Sequence, residues 1–462
     1  MPRPAPNLLF IMTDHQRADS LGTMQAGIEV TPNLNRLAAQ STAFDRAYNT
    51  CPLCVPARTA IATGKYPTHN GVVFNDWRGT TAGDHLTLHE CLARAGYDVA
   101  HMGVHHVRVK PDIRERVPFA KWVGNADHAQ FLKAHDIAET KDDLLPFRRE
   151  IAENQNGKRV PKLYSNTHTA VWPHPVEWFK DNYLCDQAIE FLREPRDKPF
   201  ALFVCLWAPH PPLRVPEPYA SLFAPDAIDL PANVGQSAEG EPLGRRSGIA
   251  AQLAEGIAMD QWRRVWAAHL GLVHLADAGI GRILDALDNT GGVDDTITCF
   301  TVDHGDQLGQ HCMYQKMEMY EQAIRIPLLV RVPGAQPTRC DAPVSHLDIL
   351  PTLAELMDLA APPDLDGISL APSVLGDAAP PDRPVFSQYT GNPTRGDTRR
   401  ALITRRWKYI HDPTDAPELY DLENDPLEMT NLDADPAHAD TVRTLHNQCR
   451  RWHQEHGDTV AF

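Results

Sequence analysis

Five stretches of the chain are apolar with little alternation: Leu8–Met12, a weaker Asp98–Met102, Phe200–Trp207, Thr296–Val302 and Ile326–Val332. Strands exposed on one face alternate with period two, so unbroken runs of this length predict strands buried on both faces. Helical patterns lie between them. TPNLNRLAAQ begins with Thr31 as N-cap and Pro32 at the first helical position. Val265–Gly291 is a long amphipathic segment. In CPLCVPARTAIATG, Cys51 to Gly64, Pro56 suits the first helical position and Gly64 the residue past the last turn. Cys54 then falls at or just before a helix N-terminus. The alternation predicts an α/β fold: a large doubly wound, mainly parallel sheet flanked by helices.

Two stretches break this rhythm. Residues from about 107 to 174 are charged and poorly periodic, and read as an insertion near the site that walls a pocket. Pro362–Pro384 is rich in Pro, Ala and Asp and reads as a linker. Beyond it, VFSQYT, RALITRRWKYIH and ELYDLENDP predict a small antiparallel sheet, closed by a helix over about His438–His456. The expected division is 1–375 as one large domain, with the insertion at about 107–174, and 376–462 as a smaller C-terminal α+β subdomain. No internal repeat is visible.

Composition narrows the partners. The 462 residues carry 44 Lys and Arg against 60 Asp and Glu, a net charge of −16. That balance argues against nucleic acid and against anionic membrane as main partners. It leaves room for a small anionic substrate, because a local cluster of cations outweighs the global field. The apolar run Leu8–Met12 meets Thr13 and Asp14, too soon for a secretory leader. No stretch approaches the roughly 20 apolar residues of a membrane-spanning helix. Nine cysteines, an odd number without pattern, fit reduced thiols rather than a disulfide framework. These features predict a cytoplasmic protein; homo-oligomerisation is left open.

Chemistry gathers where the predicted strands end. Leu8–Met12 runs into Thr13-Asp14-His15, and Thr296–Val302 into Asp303-His304-Gly305. Phe200–Trp207 runs into Pro209-His210-Pro211-Pro212, and Asp98–Met102 into Gly103-Val104-His105-His106. In open α/β sheets, sites assemble outside the carboxyl ends of the strands. One Asp in such a place is an ordinary helix cap. Four strand ends delivering Asp, Asp-His, His and His-His point to metal-assisted hydrolysis. Unpaired N–H groups at the helix start near Cys54 favour an anion, and Arg58, one turn on, can return toward it. The two cysteines themselves admit three readings: a thioredoxin-like redox pair, half of a zinc site, or a nucleophile at position 54 with Cys51 as a core residue. No second CxxC, and no HxxxH at a suitable spacing from the pair, supports zinc.

Cys54-Val55-Pro56-Ala57-Arg58 followed by Thr63-Gly64 resembles the CxPxR…TG signature of type I sulfatases, members of the alkaline-phosphatase-like superfamily. The resemblance spans almost the whole chain. Asn7 to Asp14 resembles the family's opening strand, and Thr31-Pro32-Asn33-Leu34-Asn35-Arg36-Leu37 its TPNLDRL helix. Asp303-His304-Gly305-Asp306 resembles its metal motif; Glu418-Leu419-Tyr420-Asp421-Leu422, with Asp425-Pro426 and Asn431-Leu432, resembles its C-terminal subdomain. Two departures stand out. Many sulfatases open with two adjacent Asp, and here the second is His15. Many read GKWH after the second strand, and here Gly103-Val104-His105-His106 lacks the lysine. The chain is thus similar to the branch holding choline sulfatases and phosphonate monoester hydrolases.

The resemblance implies an alkaline-phosphatase-like catalytic domain that hydrolyses sulfate monoesters. Cys54 would be oxidised to formylglycine by a formylglycine-generating enzyme. Asp14, Asp303, His304 and the modified Cys54 would hold one divalent metal, with Ca²⁺ first and Mg²⁺ or Mn²⁺ as alternatives; the histidine leans slightly away from Ca²⁺. Arg58 would orient the hydrated aldehyde. His210, or Lys316 beside it, would protonate the leaving alcohol, and His106 would take the proton that releases sulfate. Lys316 stands where the family has its sulfate-binding lysine, and Asn75 where the branch has an ester-contacting asparagine. His105 is an alternative to His106 and a candidate substrate contact. Trp77, Trp122 and Trp172 are candidate pocket aromatics; His69 and His311 are expected to stand outside the site itself. Rival readings are a phosphonate monoester or phosphodiester hydrolase with the same apparatus, and a non-catalytic binding protein on the fold.

Overall fold

The computed structural model describes residues 5–76, 79–137, 140 and 142–462; Trp77, a candidate pocket aromatic, lies outside them. The central sheet holds strands β1 (Asn7–Thr13), β2 (Thr42–Tyr48), β3 (Asp98–Gly103), β4 (Lys121–Val123), β5 (Phe200–Cys205), β6 (Thr296–Val302), β7 (Arg325–Arg331), β8 (Thr338–Cys340) and β9 (Val344–Ser345). Its order is β8-β2-β7-β6-β1-β5-β3-β4, with β9 also paired to β2. Pairing is parallel throughout except that β7 runs antiparallel to both β6 and β2. All five predicted strands are present. Their apolar runs reflect position: Leu8, Leu9 and Ile11 on the central strand are fully buried, each contributing about 1.5–3 kcal/mol of burial.

The four strands whose ends carry chemistry are adjacent and parallel, in the order β6-β1-β5-β3. Met12 stands opposite both Thr301 and Cys205, and Cys205 opposite Gly103. Their carboxyl ends are therefore level, and Asp14, His106, His210 and Asp303 emerge along one rim.

Helix α1 (Pro32–Ala38) starts where predicted, but Thr31 does not cap it. Its hydroxyl donates to the Ser20 carbonyl (3.0 Å). The first amides are taken instead by Asp277, which accepts from Asn33 N (3.0 Å) and Leu34 N (2.8 Å). Asp277 belongs to α4 (Met259–Asn289), which begins before the predicted Val265. Helix α2 (Cys54–Thr63) closes on Gly64 at φ 66° and is buried at every residue. It starts at Cys54, so Pro56 sits at the third helical position. Helix α3 (Lys180–Arg193) packs against α4.

The segment predicted as an insertion supplies β4, the sheet's edge, and a hairpin of Arg148–Gln155 with Lys158–Ser165. The Pro-rich stretch is packed: Leu370, Ala371 and Val374 are buried. Beyond it, β10 (Val385–Tyr389), β11 (Arg399–Ile403), β12 (Trp407–His411) and β13 (Glu418–Asp421) form an antiparallel four-stranded sheet covered by α5 (Ala439–Glu455). Buried ion pairs tie this sheet to the loop after β6. Lys408 lies 2.7 Å from both Glu321 and Glu428. Arg399 meets Glu318 at 2.9 Å. Arg245 joins Asp412 at 2.8 Å and also pairs with Glu418. The pairs of Glu318 and Glu321 hold the loop that carries Lys316.

Two glycines beside the rim have no room for a side chain. A Cβ on Gly103 would lie 2.0 Å from the Cys205 carbonyl oxygen, and one on Gly305 2.0 Å from the Gln322 carbonyl oxygen. Both obstacles are backbone. We expect Gly305→Ala to cost at least about 3 kcal/mol and Gly157→Ala, at φ +79° with nothing within 4 Å, roughly 1–2 kcal/mol. Denaturant midpoints of the two variants check this; equal midpoints contradict it.

Candidate active site

Four residues from three elements converge at the rim. Asp14 follows β1, Asp303 and His304 follow β6, and Cys54 opens α2. One donor atom from each lies within 4.8 Å of the others, and all four are buried. Cys54 Sγ is 3.1 Å from His304 Nε2 and 3.8 Å from Asp14 Oδ1. His304 Nε2 is 3.6 Å from both carboxylates. Edges of this length suit donors around one cation at roughly 2.0–2.6 Å. His304 Nδ1 donates to the Gly305 carbonyl (3.1 Å), which turns the Nε2 lone pair into the cluster, as a metal-ligating histidine requires.

The electrostatics favour a cation as well. Burial, then the neighbouring Asp303, raise the Asp14 pKa to about 7. Two carboxylates at one dry point need more positive charge than the protein alone gives them. Arg58 provides part of it. Its Nε donates to Asp303 (2.8 Å), one Nη to Asp14 (2.9 Å) and the other to the Val104 carbonyl (2.8 Å). All three of these bonds go to the carboxylates and to backbone, so Arg58 orients the ligand set rather than turning toward an anion at Cys54.

Lys316 stands over the cluster. Its ammonium lies 2.8 Å from Cys54 Sγ and 3.0 Å from His304 Nε2, and donates to His15 Nε2 (2.8 Å). His15, at φ 64°, donates through Nδ1 to Asp306 (2.7 Å). The histidine that replaces the second Asp thus links Lys316 to Asp306. Burial, reinforced by Lys316, holds its pKa well below the usual range, so it is neutral.

The anion site expected at the start of α2 does not form from helix amides. Val55 N donates to Asn75 Oδ1 (3.0 Å), Ala57 N to the Leu53 carbonyl (3.0 Å), and Pro56 has no N–H. Asn75 closes the helix through its oxygen, and its side chain also borders the cavity. Burial, then Asp14, push the Cys54 thiol pKa up. An unmodified Cys54 is therefore a neutral thiol.

A cavity of about 740 Å³ opens above Cys54. Asn75, His106, His210 and Lys316 line it, and so does Trp172. His210 Nδ1 donates to the Pro211 carbonyl, which leaves Nε2 as its proton-exchanging nitrogen. His105 is not brought in: it packs against His101 and Trp122, with ring centroids 6.1 and 5.1 Å away. Trp122 likewise stacks on His101 at the sheet edge. His69 pairs with Asp366 (2.9 Å), and His311 stacks on Tyr320 (3.9 Å). Cys51 is a buried free thiol. Sequence reasoning missed Asp306 as the partner of His15, and Asp181, whose Oδ1 accepts from Trp207 N (2.6 Å) and Ala208 N (3.1 Å) to shape the turn before His210. Asp306 stood inside the quoted Asp303-His304-Gly305-Asp306 motif; Asp181, within a helical stretch, carried no signal.

The Sulfatase family model matches residues 6–359, and the model for the N-sulphoglucosamine sulphohydrolase C-terminal region matches 309–455. The chain is 29% identical to a multifunctional alkaline phosphatase superfamily protein, PehA, of Trinickia caryophylli, covering 98% of this chain and 96% of the other. It is 29% identical to a choline-sulfatase of Rhizobium meliloti, covering 99% and 88%. A phosphonate monoester hydrolase from Silicibacter pomeroyi shares the fold, with a TM-score of 0.80, 24% identity and coverage of 98% and 96%. The rim cluster and the match over residues 6–359 lead to one conclusion: the chain belongs to the sulfatase family, sulfuric ester hydrolases of the alkaline-phosphatase superfamily.

Proposed function

We propose that this chain hydrolyses sulfate monoesters to an alcohol and inorganic sulfate, using Cys54 converted to formylglycine and one divalent cation held by Asp14, Asp303, His304 and the converted residue. The carrying observation is the buried Cys54 set among two carboxylates and an imidazole, all four donor atoms within 4.8 Å of one another. A neutral thiol is a poor nucleophile, and sulfur is a poor ligand for the hard cation that carboxylates suit. An aldehyde hydrate in its place offers oxygen. When bound, the hydrate supplies the nucleophilic hydroxyl, while the cation lowers its pKa and neutralises the ester's oxygens.

The chain's own residues divide the remaining work. Arg58 bonds Asp14 and Asp303 together and aligns them. Lys316, 2.8 Å from Cys54 Sγ, binds a sulfate oxygen, and Asn75 borders the same space. His210, once protonated at Nε2, gives that proton to the leaving alcohol and returns to the neutral Nδ1–H form, and His106 takes the proton that frees sulfate. The relatives named choline-sulfatase and arylsulfatase support the sulfate reading. Conversion of Cys54 requires a formylglycine-generating enzyme as partner. The nine free cysteines support a reducing, cytoplasmic location. We assign 1–375 to the catalytic unit and 376–462 to the C-terminal subdomain.

The following outcomes test this reading. Protein made with a modifying enzyme carries a hydrazide-reactive carbonyl on the Cys54 peptide, by mass spectrometry. Cys54→Ala folds but loses at least about 10³ in turnover, whereas Cys51→Ala stays active. Full activity with an unmodified thiol at position 54 overturns the mechanism. Elemental analysis of Asp303→Ala shows loss of bound divalent metal, with activity down at least about a hundredfold; metal equal to wild type removes Asp303 from the ligand set. His210→Ala slows esters of poor leaving groups about 10²-fold or more and good ones far less, while His106→Ala gives a burst followed by slow turnover. Identical responses to leaving-group pKa contradict this division of labour.

A further inference from the structure

Lys316 is a long, flexible side chain held in one place. Its ammonium lies 2.8 Å from Cys54 Sγ, 3.0 Å from His304 Nε2 and 2.8 Å from His15 Nε2. Cys54 and His304 are among the residues proposed above to hold the cation. His15 is not, so its lone pair serves the lysine alone.

His15 itself has little freedom. It is fully buried. Its ring lies edge-on to those of His210 and His304, with centroids 4.5 Å away in each case. Nδ1 donates to Asp306 Oδ2 (2.7 Å), which leaves the lone pair on Nε2, facing the ammonium. The other Asp306 oxygen accepts from Leu308 N (3.1 Å) and Gln315 N (3.0 Å). Gln307 N in turn donates to the Gln315 carbonyl (2.8 Å). One carboxylate therefore fixes both the imidazole that meets the tip of Lys316 and the backbone beside its root.

We propose that His15, oriented by Asp306, is a positioning residue for Lys316: it accepts from the ammonium and holds it over Cys54, where a sulfate oxygen is received. This deepens the sulfate-ester reading above and rests on it. A lysine loses much rotamer freedom when it is fixed. One fixed before the substrate arrives binds an anion without that loss. A carboxylate at position 15 would neutralise the ammonium, whereas a neutral imidazole aligns it and leaves its charge for the ester's oxygens.

His15→Asn and His15→Gln separate the two ends of the imidazole. Asn keeps a donor at the δ position for Asp306, suits the backbone at φ 64°, and is too short to reach Lys316. Gln offers an acceptor at the ε position, where Nε2 stands. Equilibrium binding of inorganic sulfate to the converted, metal-loaded enzyme is measured by calorimetry, together with metal content and with KM and kcat for an aryl sulfate. His15→Asn weakens sulfate binding and raises KM, each about tenfold, with kcat changed far less and metal content equal to wild type. His15→Gln recovers most of that loss. Lys316→Ala also weakens binding about tenfold, and His15→Asn/Lys316→Ala binds no more weakly than Lys316→Ala, because the two side chains act as one unit. Unchanged binding in His15→Asn, equal losses in the Asn and Gln variants, or additive losses in the double variant overturn the proposal. Loss of metal from His15→Asn overturns it too, by making His15 a ligand. The two readings fail separately. Turnover of sulfate esters, with sulfate binding indifferent to His15→Asn, removes the positioning role and keeps the chemistry. The expected binding pattern in an enzyme that turns over no sulfate ester keeps the positioning role and removes the chemistry.

Discussion

Two carboxylates held together in the dry interior constrain everything around them. Asp14 and Asp303 are fully buried at the ends of neighbouring parallel strands. Left alone they repel, and one of them protonates. Arg58 is the answer built into the fold: a planar fork that bonds both acids at once, which a lysine's point charge cannot reproduce. Removing such a partner leaves buried charge uncompensated, a loss of about 3–5 kcal/mol. The remaining deficit of positive charge suits a divalent cation, and the tautomer of His304 prepares a fourth donor for it.

The same cluster explains why Cys54 is an unsatisfactory cysteine. Its thiol is neutral, closed in, and surrounded by ligands that prefer oxygen-loving ions. The helix it opens is buried all round and short of free amides, because Asn75 and Pro56 remove two of them. Negative charge brought by a substrate must therefore meet side-chain cations. Lys316 is the nearest, and its loop is pinned by buried ion pairs to the C-terminal sheet. The C-terminal sheet thereby contributes to the site without placing a catalytic group in it.

Above the cluster the cavity follows a different logic. Its floor comes from strand ends fixed by sheet register, and its walls from the hairpin and loops around it. Gly103 and Gly305 let neighbouring backbone carbonyls close in where floor meets wall. Walls of this kind tolerate change in sequence more easily than a sheet's rim.

Much of this was legible in the sequence. Unbroken apolar runs marked the buried strands, and the polar residues following each run marked the rim, because a strand that must stay dry can place its chemistry only where it ends. The helix at Cys54 and its glycine stop were equally local. What failed was anything that depends on partners far apart in the chain. Thr31 had the right residue type for a cap, yet Asp277 caps that helix from 244 positions away. Arg58 looked like an anion ligand because its true partner, Asp303, lies 245 positions on. Resemblance alone favoured His106 over His105; the turn after Gly103 sends His106 to the cavity and His105 against Trp122. The sequence by itself determined which residues sit at strand ends, through periodicity and burial. The tertiary structure alone decided which of them meet, because the pairing of buried charges is a property of neighbours in space and leaves no mark on neighbours in the chain.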